Sequence, residues 1–128
     1  MAELTGLAPV LLVPDVAAAL DHYRDVLGFD DVEAWSEEPE VYGYATRGRC
    51  TIHLALAESG APRPNSDVVP PDLFDVYLWV DDVGTLHQEF VSRGVDIIHG
   101  PTERPWQMRE IRVRDLNGYV LGFGEPLA

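Results

Sequence analysis

The sequence contains little cysteine, few basic residues and no long apolar run. Its 128 residues include a single cysteine, Cys50, so a disulfide within the chain is excluded and a reducing cytosol is favoured. No apolar run approaches the roughly 20 residues that a membrane helix needs, and the first residues lack the basic, then apolar pattern of a signal peptide. We therefore expect a cytoplasmic protein with no membrane partner.

Basic residues are outnumbered by acidic ones. Nine Lys and Arg face 22 Asp and Glu, which gives a formal net charge of −13. Such a surface repels nucleic acid and anionic membranes, because both are bound through basic side chains. The acidic charge has two interpretations: it attracts a cationic ligand, or it serves solubility alone. With 46% hydrophobic and 24% charged residues, the chain has the composition of a globular domain with a core.

One pattern occurs twice along the chain. Asp15 follows an apolar run and suits the start of a helix, and Gly28 suits its left-handed end. Asp82 and Gly94 enclose a second segment of the same kind, with Asp82 lying 67 residues after Asp15. The pattern indicates an internal repeat of a strand, helix and strand unit.

The turn signals complete each repeat as strand, helix and three further strands. We predict an α+β fold of two βαβββ modules, at about 1–60 and 72–128, joined by a Pro-rich connector. Neither half is large enough to bury a good core alone, so the two form one domain. The segment Gly100–Trp106 is predicted to be a loop between the last module's strands.

The alternation of side chains in the predicted strands separates two faces of each sheet. Successive residues point to opposite faces, and each helix covers one face of its sheet. Ile52 and Leu78 belong to the helix side, which leaves His53, Tyr77 and Trp79 on the other face. Aromatic, polar and small side chains together are more typical of a ligand-binding cleft than of a solvated surface.

Two signatures resemble those of a known superfamily. The first covers residues 15–29, and the second runs from Pro105 through Trp106 to Glu110 and continues over 113–118. With the paired repeat, they resemble the vicinal-oxygen-chelate superfamily, which includes glyoxalase I, extradiol dioxygenases and bleomycin-resistance proteins. The resemblance covers nearly the whole chain and implies curved mixed sheets around a cleft. Gln107 stands where the family usually has glycine.

The resemblance also concerns metal binding. Enzymes of this superfamily hold a divalent metal with four residues, and the alignment puts these positions at Ala8, His53, Asp75 and Gly122. Alanine and glycine side chains offer no ligand, and a catalytic metal normally has at least three protein ligands. The resemblance therefore implies a protein without a metal or other cofactor, and a binding protein rather than an enzyme.

Within the superfamily, the sequence looks most like bleomycin-resistance protein. That resemblance implies a homodimer, with or without exchanged N-terminal strands, whose clefts stack a flat drug ring on aromatic side chains. We expect a metal-free protein that sequesters a small aromatic, cationic compound such as a bleomycin-type antibiotic and so gives antibiotic resistance. The candidate ligand-binding residues are Trp35, His53, Asp75, Tyr77, Trp79 and Trp106.

Physical chemistry supports aromatic residues as ligand contacts in an acidic chain. Indole and phenol faces bind planar cations by stacking and cation–π attraction, each contributing about 0.5–2 kcal/mol. An aromatic residue in a strand is more often core. Trp106 differs because it lies in a proline-bounded loop, which favours a cleft position.

Two other functions stay open at this point. His53 and Asp75 could act as an acid–base pair in an enzyme of the same superfamily, a lyase, isomerase or dioxygenase-like protein. A regulatory or scaffold dimer is favoured if side chains fill the cleft.

Arg112 and Arg114 are predicted to form cross-strand salt bridges at a solvated edge.

Overall fold

The computed structural model describes residues 1–35, 40–60 and 63–127, which form two helices and two four-stranded sheets. Sheet A contains β1 (Val10–Val13), β2 (Asp31–Ala34), β3 (Tyr42–Arg47) and β4 (Cys50–Leu56), in the spatial order β1-β4-β3-β2. Sheet B contains β5 (Val76–Trp79), β6 (Asp96–Arg104), β7 (Met108–Arg114) and β8 (Val120–Pro126), in the order β5-β8-β7-β6. Helix α1 spans Val16–Asp25 and helix α2 spans Val83–Arg93.

The two sheets have the same topology. In each, the first strand runs parallel to the last, and the remaining pairs are antiparallel. The prediction of two βαβββ modules in an α+β fold is confirmed. Residues 61 and 62 of the predicted connector lie outside the described residues. In the part of the chain that the structure describes, neither helix is long and apolar enough to cross a membrane.

Both helices begin as the sequence predicts, and α2 also ends at the predicted glycine, whereas α1 ends at Asp25, three residues before Gly28. One carboxylate oxygen of Asp15, and likewise of Asp82, accepts the backbone N–H three residues later at 3.0 Å. This bond satisfies an amide that the first helical turn leaves without a partner. Gly28 and Gly94 follow the helices with φ of 77° and 73°, a conformation that glycine adopts without the steric cost of a side chain.

Strand β6 is longer than the sequence predicts. The predicted loop over Gly100–Trp106 is wrong in its first part, because β6 continues to Arg104. Register shifts on both sides of His99 interrupt its pairing with β7, and Gly100 has a φ of 89°. These irregularities remove the regular alternation by which a strand is recognised. The turn between β6 and β7 is therefore short, and Trp106 lies at its tip.

The helix-covered faces of both sheets meet in one hydrophobic core. The largest fully buried side chains include Tyr23 and Phe29 from the first module and Phe90 from the second. Ile52 and Leu78, predicted for the helix side, are buried in the same cluster. The opposite faces, which we call the outer faces, lie away from this core.

Several polar contacts join the modules, and two of them link side chains. The Tyr23 hydroxyl on α1 donates to Asp115 in the β7–β8 turn at 2.7 Å, and burial raises the pKa of Asp115. Arg47, at the end of β3, donates to both carboxylate oxygens of Glu89 on α2, each at 2.7 Å. Each helix therefore contacts a hairpin of the other module.

Candidate functional site

The six predicted ligand-binding residues lie in two groups, one on each sheet. Trp35 and His53 belong to sheet A, and they contact one another. Tyr77, Trp79 and Trp106 belong to sheet B, while Asp75 lies just before β5. The structure therefore divides the predicted residues between two outer faces.

The sheet A cluster consists of aromatic rings around His53. The Tyr42 hydroxyl and Nδ1 of His53 share a hydrogen bond of 2.8 Å. Trp35 is 65% exposed and stacks on Tyr42, with ring centroids 5.1 Å apart. Tyr44 contacts both Trp35 and His53, and its hydroxyl donates to Glu33, which raises the pKa of Tyr44. Tyr42 and Tyr44 were not predicted for the site, although Tyr44 lies directly opposite His53 in the β3–β4 pair.

The sheet B pocket is an open depression of about 480 Å³ with aromatic walls. It is lined by Phe74, Tyr77, Trp79, Trp106 and Met108. Trp79 is 69% exposed and Trp106 is 49% exposed, so both indoles are accessible to a ligand. Three predicted residues meet here, and the sequence reasoning missed Phe74 and Met108.

A buried carboxylate holds the walls of this pocket in place. Glu110, on β7, is only 2% exposed and accepts hydrogen bonds from the Tyr77 hydroxyl at 2.8 Å and from Nε1 of Trp106 at 3.2 Å. Its other oxygen accepts from Nε of Arg112 at 3.1 Å. Burial, together with the bond to Glu110, raises the pKa of Tyr77 to about 12. These bonds fix two of the aromatic walls from below.

The position of Arg112 corrects a prediction about β7. Arg112 is 7% exposed, so the solvated edge predicted around it is wrong. Its guanidinium donates to the backbone carbonyls of Pro71 at 3.3 Å and Asp72 at 2.9 Å. Arg114 donates to the Asp72 carboxylate at 2.9 Å. The connector thus folds onto sheet B through Arg112 and Arg114, and this covers a strand that would otherwise be solvated.

Two glycines of β8 make room for the aromatic side chains above them. A Cβ at Gly124 would lie 2.0 Å from the hydroxyl oxygen of Tyr77, which is an impossible contact. A Cβ at Gly122 would lie 3.2 Å from the ring of Phe74 and 3.3 Å from that of Tyr77. Tyr77 can therefore lie across β8 and reach Glu110 only because position 124 carries no side chain.

Trp106 is held at the tip of the β6–β7 hairpin. The guanidinium carbon of Arg104 lies 4.9 Å from the centroid of the indole ring. The next residue, Gln107, has a φ of 65° and donates its backbone N–H to the carbonyl of Arg104 at 3.1 Å. Glycine, expected here from the family resemblance, adopts this conformation freely, whereas a non-glycine residue pays about 1 kcal/mol.

Asp75 is placed differently from the other predicted residues. One of its carboxylate oxygens accepts the backbone N–H of Asn65 at 2.8 Å, and the other accepts that of Val120 at 2.9 Å. These bonds tie the connector to the start of β8. His53 lies on the other sheet and contacts other neighbours, so the structure does not bring the two residues together.

The residues at the four family metal positions do not fit a metal centre. Ala8 and Gly122 carry no donor atom, and both oxygens of Asp75 are engaged by backbone amides. Nδ1 of His53 is hydrogen-bonded to a tyrosine. Over the ranges 1–35, 40–60 and 63–127, no group of three or more His, Cys, Asp or Glu side chains could hold a metal ion.

A larger cavity of about 730 Å³ lies where the modules meet. Its walls include β5 on one side and the segment from Arg47 to Ile52 on the other. The charge of Arg47 is already neutralised by Glu89. The smaller sheet B pocket has the features of a ligand site, because exposed aromatic faces and an organised polar group converge there.

Solved structures of several proteins are similar to this one over almost their full length. A bleomycin-binding protein from bleomycin-producing Streptomyces verticillus, complexed with copper(II)-bleomycin, is 25% identical with a TM-score of 0.68, covering 98% of each chain. TioX from Micromonospora sp. ML1 is 19% identical with a TM-score of 0.73, covering 94% of this chain and 98% of TioX. Lactoylglutathione lyase from Agrobacterium tumefaciens is 20% identical with a TM-score of 0.66, covering 97% and 96%. No protein of curated function matched the sequence.

The family is shown by a match to the whole repeat. The model of the Glyoxalase/Bleomycin resistance protein/Dioxygenase superfamily matches residues 6–123, which include both modules. Structural neighbours at 19 and 20% identity show the fold alone, since one fold supports several activities. The chain belongs to the glyoxalase, bleomycin resistance protein and dioxygenase superfamily.

Proposed function

We propose that this protein binds a small aromatic compound of the bleomycin type and releases it unchanged. The sheet B pocket carries this proposal: exposed indole faces of Trp79 and Trp106 converge over a buried carboxylate that fixes their surroundings. Rigid aromatic walls bind a flat ring by stacking with little loss of side-chain entropy. A protein of this kind would act by stoichiometric capture.

Charge and similarity support the same proposal. The net charge of −13 raises the local concentration of a cationic compound around the protein. The bleomycin-binding protein from Streptomyces verticillus has the same fold, and its structure contains copper(II)-bleomycin. We further propose that the protein acts as a homodimer. The half-exposed Val10 and Leu12 on the outer face of β1 give it apolar surface to bury against a second copy.

An enzyme that uses His53 and Asp75 has less support. A general acid or base must reach the reacting atom, and the two groups must act on one substrate. The carboxylate of Asp75 is occupied by backbone amides, and His53 lies on another sheet. No observation in the described residues favours a joint catalytic role for them.

Titration with bleomycin tests the proposal. Metal-free bleomycin is added to the protein while the tryptophan fluorescence is followed, and copper(II)-bleomycin is titrated in parallel. We expect saturable quenching with the metal-free compound, because exposed indoles lie in the proposed site. The absence of quenching up to high micromolar concentration would sink the specific claim for this class of drug.

Substitutions locate the binding site. Trp106→Ala should weaken binding by about 1–3 kcal/mol if the indole is a central contact, and Trp106→Phe should weaken it less. Trp35→Ala removes an exposed tryptophan from the other sheet and serves as the comparison variant. Equal affinity in the wild type and in Trp106→Ala would remove this residue from the site.

A further inference from the structure

Arginine side chains lie close to the aromatic walls of the sheet B pocket. All nine basic residues of the chain are arginines, and four of them lie between residues 104 and 114. That segment contains the end of β6, the turn with Trp106, and β7. Four of the nine arginines of the chain therefore lie in the segment that carries Trp106.

Two of these arginines lie against aromatic walls of the pocket. The guanidinium carbon of Arg104 is 4.9 Å from the ring centroid of Trp106, and that of Arg112 is 5.1 Å from the ring centroid of Phe74. At these distances a guanidinium group and a ring attract by the cation–π interaction. One face of each ring is thus occupied by a cation that belongs to the protein.

The neighbouring carboxylates pair with three of these four arginines and leave Arg104 without a partner among the described residues. Glu110 is paired with Arg112 at 3.1 Å, Asp72 with Arg114 at 2.9 Å, and Glu103 with Arg109 at 3.2 Å. Arg104 has no carboxylate partner among the described residues, and its Nε atom is buried without a hydrogen bond there. One positive charge therefore remains unpaired directly behind Trp106.

A ring with a cation on one face is a poor acceptor for a second cation on the other face. The two positive charges repel, and the electron density that would attract the second cation is already polarised toward the first. A neutral ring stacks without this penalty, and an anionic ring is attracted. We propose that the sheet B pocket selects neutral or anionic aromatic rings and discriminates against cationic ones.

This inference rests on the proposed function, because it concerns the same pocket, and it narrows the ligand class. A bound compound places a ring without positive charge between the indoles. Any cationic group that it carries lies outside the pocket, where the acidic surface can attract it. The acidic surface of the protein then attracts the cationic part of the compound, and the pocket binds its ring without positive charge.

Three probes of equal ring size and different charge test the proposal. The affinities of 2-naphthoate, 2-naphthalenemethanol and 2-naphthylmethylammonium are measured by isothermal titration calorimetry at low salt. We expect naphthoate to bind about tenfold more tightly than the ammonium compound, with the alcohol between them or equal to naphthoate. An ammonium compound that binds as tightly as naphthoate overturns the proposal, since the charge of −13 would then dominate in the pocket as well.

Variants assign the preference to Arg104. Arg104→Met keeps an apolar stem beside Trp106 and removes the charge, so it should reduce the naphthoate preference to about twofold or less. Arg104→Lys should keep most of the preference. Arg24→Met makes the same change in net charge on α1, in the other module, and should keep the full preference. An equal loss of preference in Arg104→Met and Arg24→Met would show a general charge effect and overturn the proposal.

Bleomycin titration of the same samples separates this inference from the proposed function. Binding of bleomycin without a charge preference among the naphthalenes refutes the inference and leaves the function standing. A naphthoate preference lost in Arg104→Met, without bleomycin binding, supports the inference and refutes the drug claim. Failure of all three naphthalenes to bind overturns the inference.

Discussion

Gly124 offers a sharp test of how the aromatic pocket is built. A methyl group at this position would lie 2.0 Å from the Tyr77 hydroxyl oxygen and 2.8 Å from the end of the Met108 side chain. In Gly124→Ala we expect the Tyr77 side chain to rotate toward solvent and lose its 2.8 Å bond to Glu110. The fold should persist, because φ at Gly124 lies outside the left-handed region and the backbone accepts alanine.

The cost of this substitution follows from the contacts that it breaks. Loss of a hydrogen bond to a charged acceptor costs about 1.5–3 kcal/mol. If the bond is kept, the overpacked methyl group costs about 1–3 kcal/mol. The variant adopts whichever of these two arrangements has the lower free energy. The lower entropy of unfolded alanine offsets about 0.4–1 kcal/mol. We therefore expect the free energy of unfolding to fall by about 1–2 kcal/mol.

Urea denaturation measures this difference, and a second background makes it specific. In Tyr77→Ala the clash with the tyrosine disappears and the flexible end of Met108 can move aside, so adding Gly124→Ala should cost less than about 0.5 kcal/mol. Gly84→Ala is the matched control, because a Cβ there meets no atom closer than 3.5 Å and alanine favours the helix by about 0.5–1 kcal/mol. Equal costs of Gly124→Ala in both backgrounds would refute the steric reasoning.

Three further outcomes are expected. Arg47→Ala should lower the free energy of unfolding by about 1 kcal/mol, because solvent screens an ion pair whose partners are about one-third exposed. A double-mutant cycle with Glu89→Ala checks this, and purely additive losses would contradict it. Tyr23→Phe removes the hydroxyl donor of buried Asp115 and should cost about 1–3 kcal/mol in urea denaturation; an unchanged midpoint would show that the bond contributes nothing. Because the pKa of Tyr77 is raised to about 12, the folded state holds this proton more tightly than the unfolded state. The stability from that difference is intact below about pH 10 and is lost as the pH rises toward about 12, so Tyr77→Phe should show a smaller alkaline loss than the wild type.

Local signals in the sequence predict much of the fold. Asp15 and Asp82 identify the two helix starts because a capping carboxylate acts on its own first turn and needs no tertiary context. Strand alternation alone places His53 and Ile52 on opposite faces of one sheet, and Tyr77 and Leu78 on opposite faces of the other. These features depend on neighbours within a few residues, so one sequence is enough to find them.

The candidate site is harder to predict because its contacts are distant in the chain. Glu110 looks like a solvated strand residue, and its burial depends on Tyr77 and on a connector held by Arg112. Asp75 lies two residues before Tyr77, so alternation would place both side chains on the same face. Asp75 precedes the strand, however, and there alternation no longer determines where a side chain points. The ligand-binding roles of all six predicted residues stay predictions.

Two of the contacts that join the modules link side chains, and their chemistry differs. Tyr23 with Asp115, and Arg47 with Glu89, each link a helix to a hairpin of the other half. The contact of Tyr23 with Asp115 is a buried hydrogen bond from a neutral hydroxyl to a carboxylate. The contact of Arg47 with Glu89 is a partly exposed ion pair. Two hydrogen bonds to backbone carbonyls accompany them, from Arg93 to Asp25 and from Tyr119 to Leu12. Because these four contacts join the modules, loss of either side-chain pair leaves three others to hold the two halves in register.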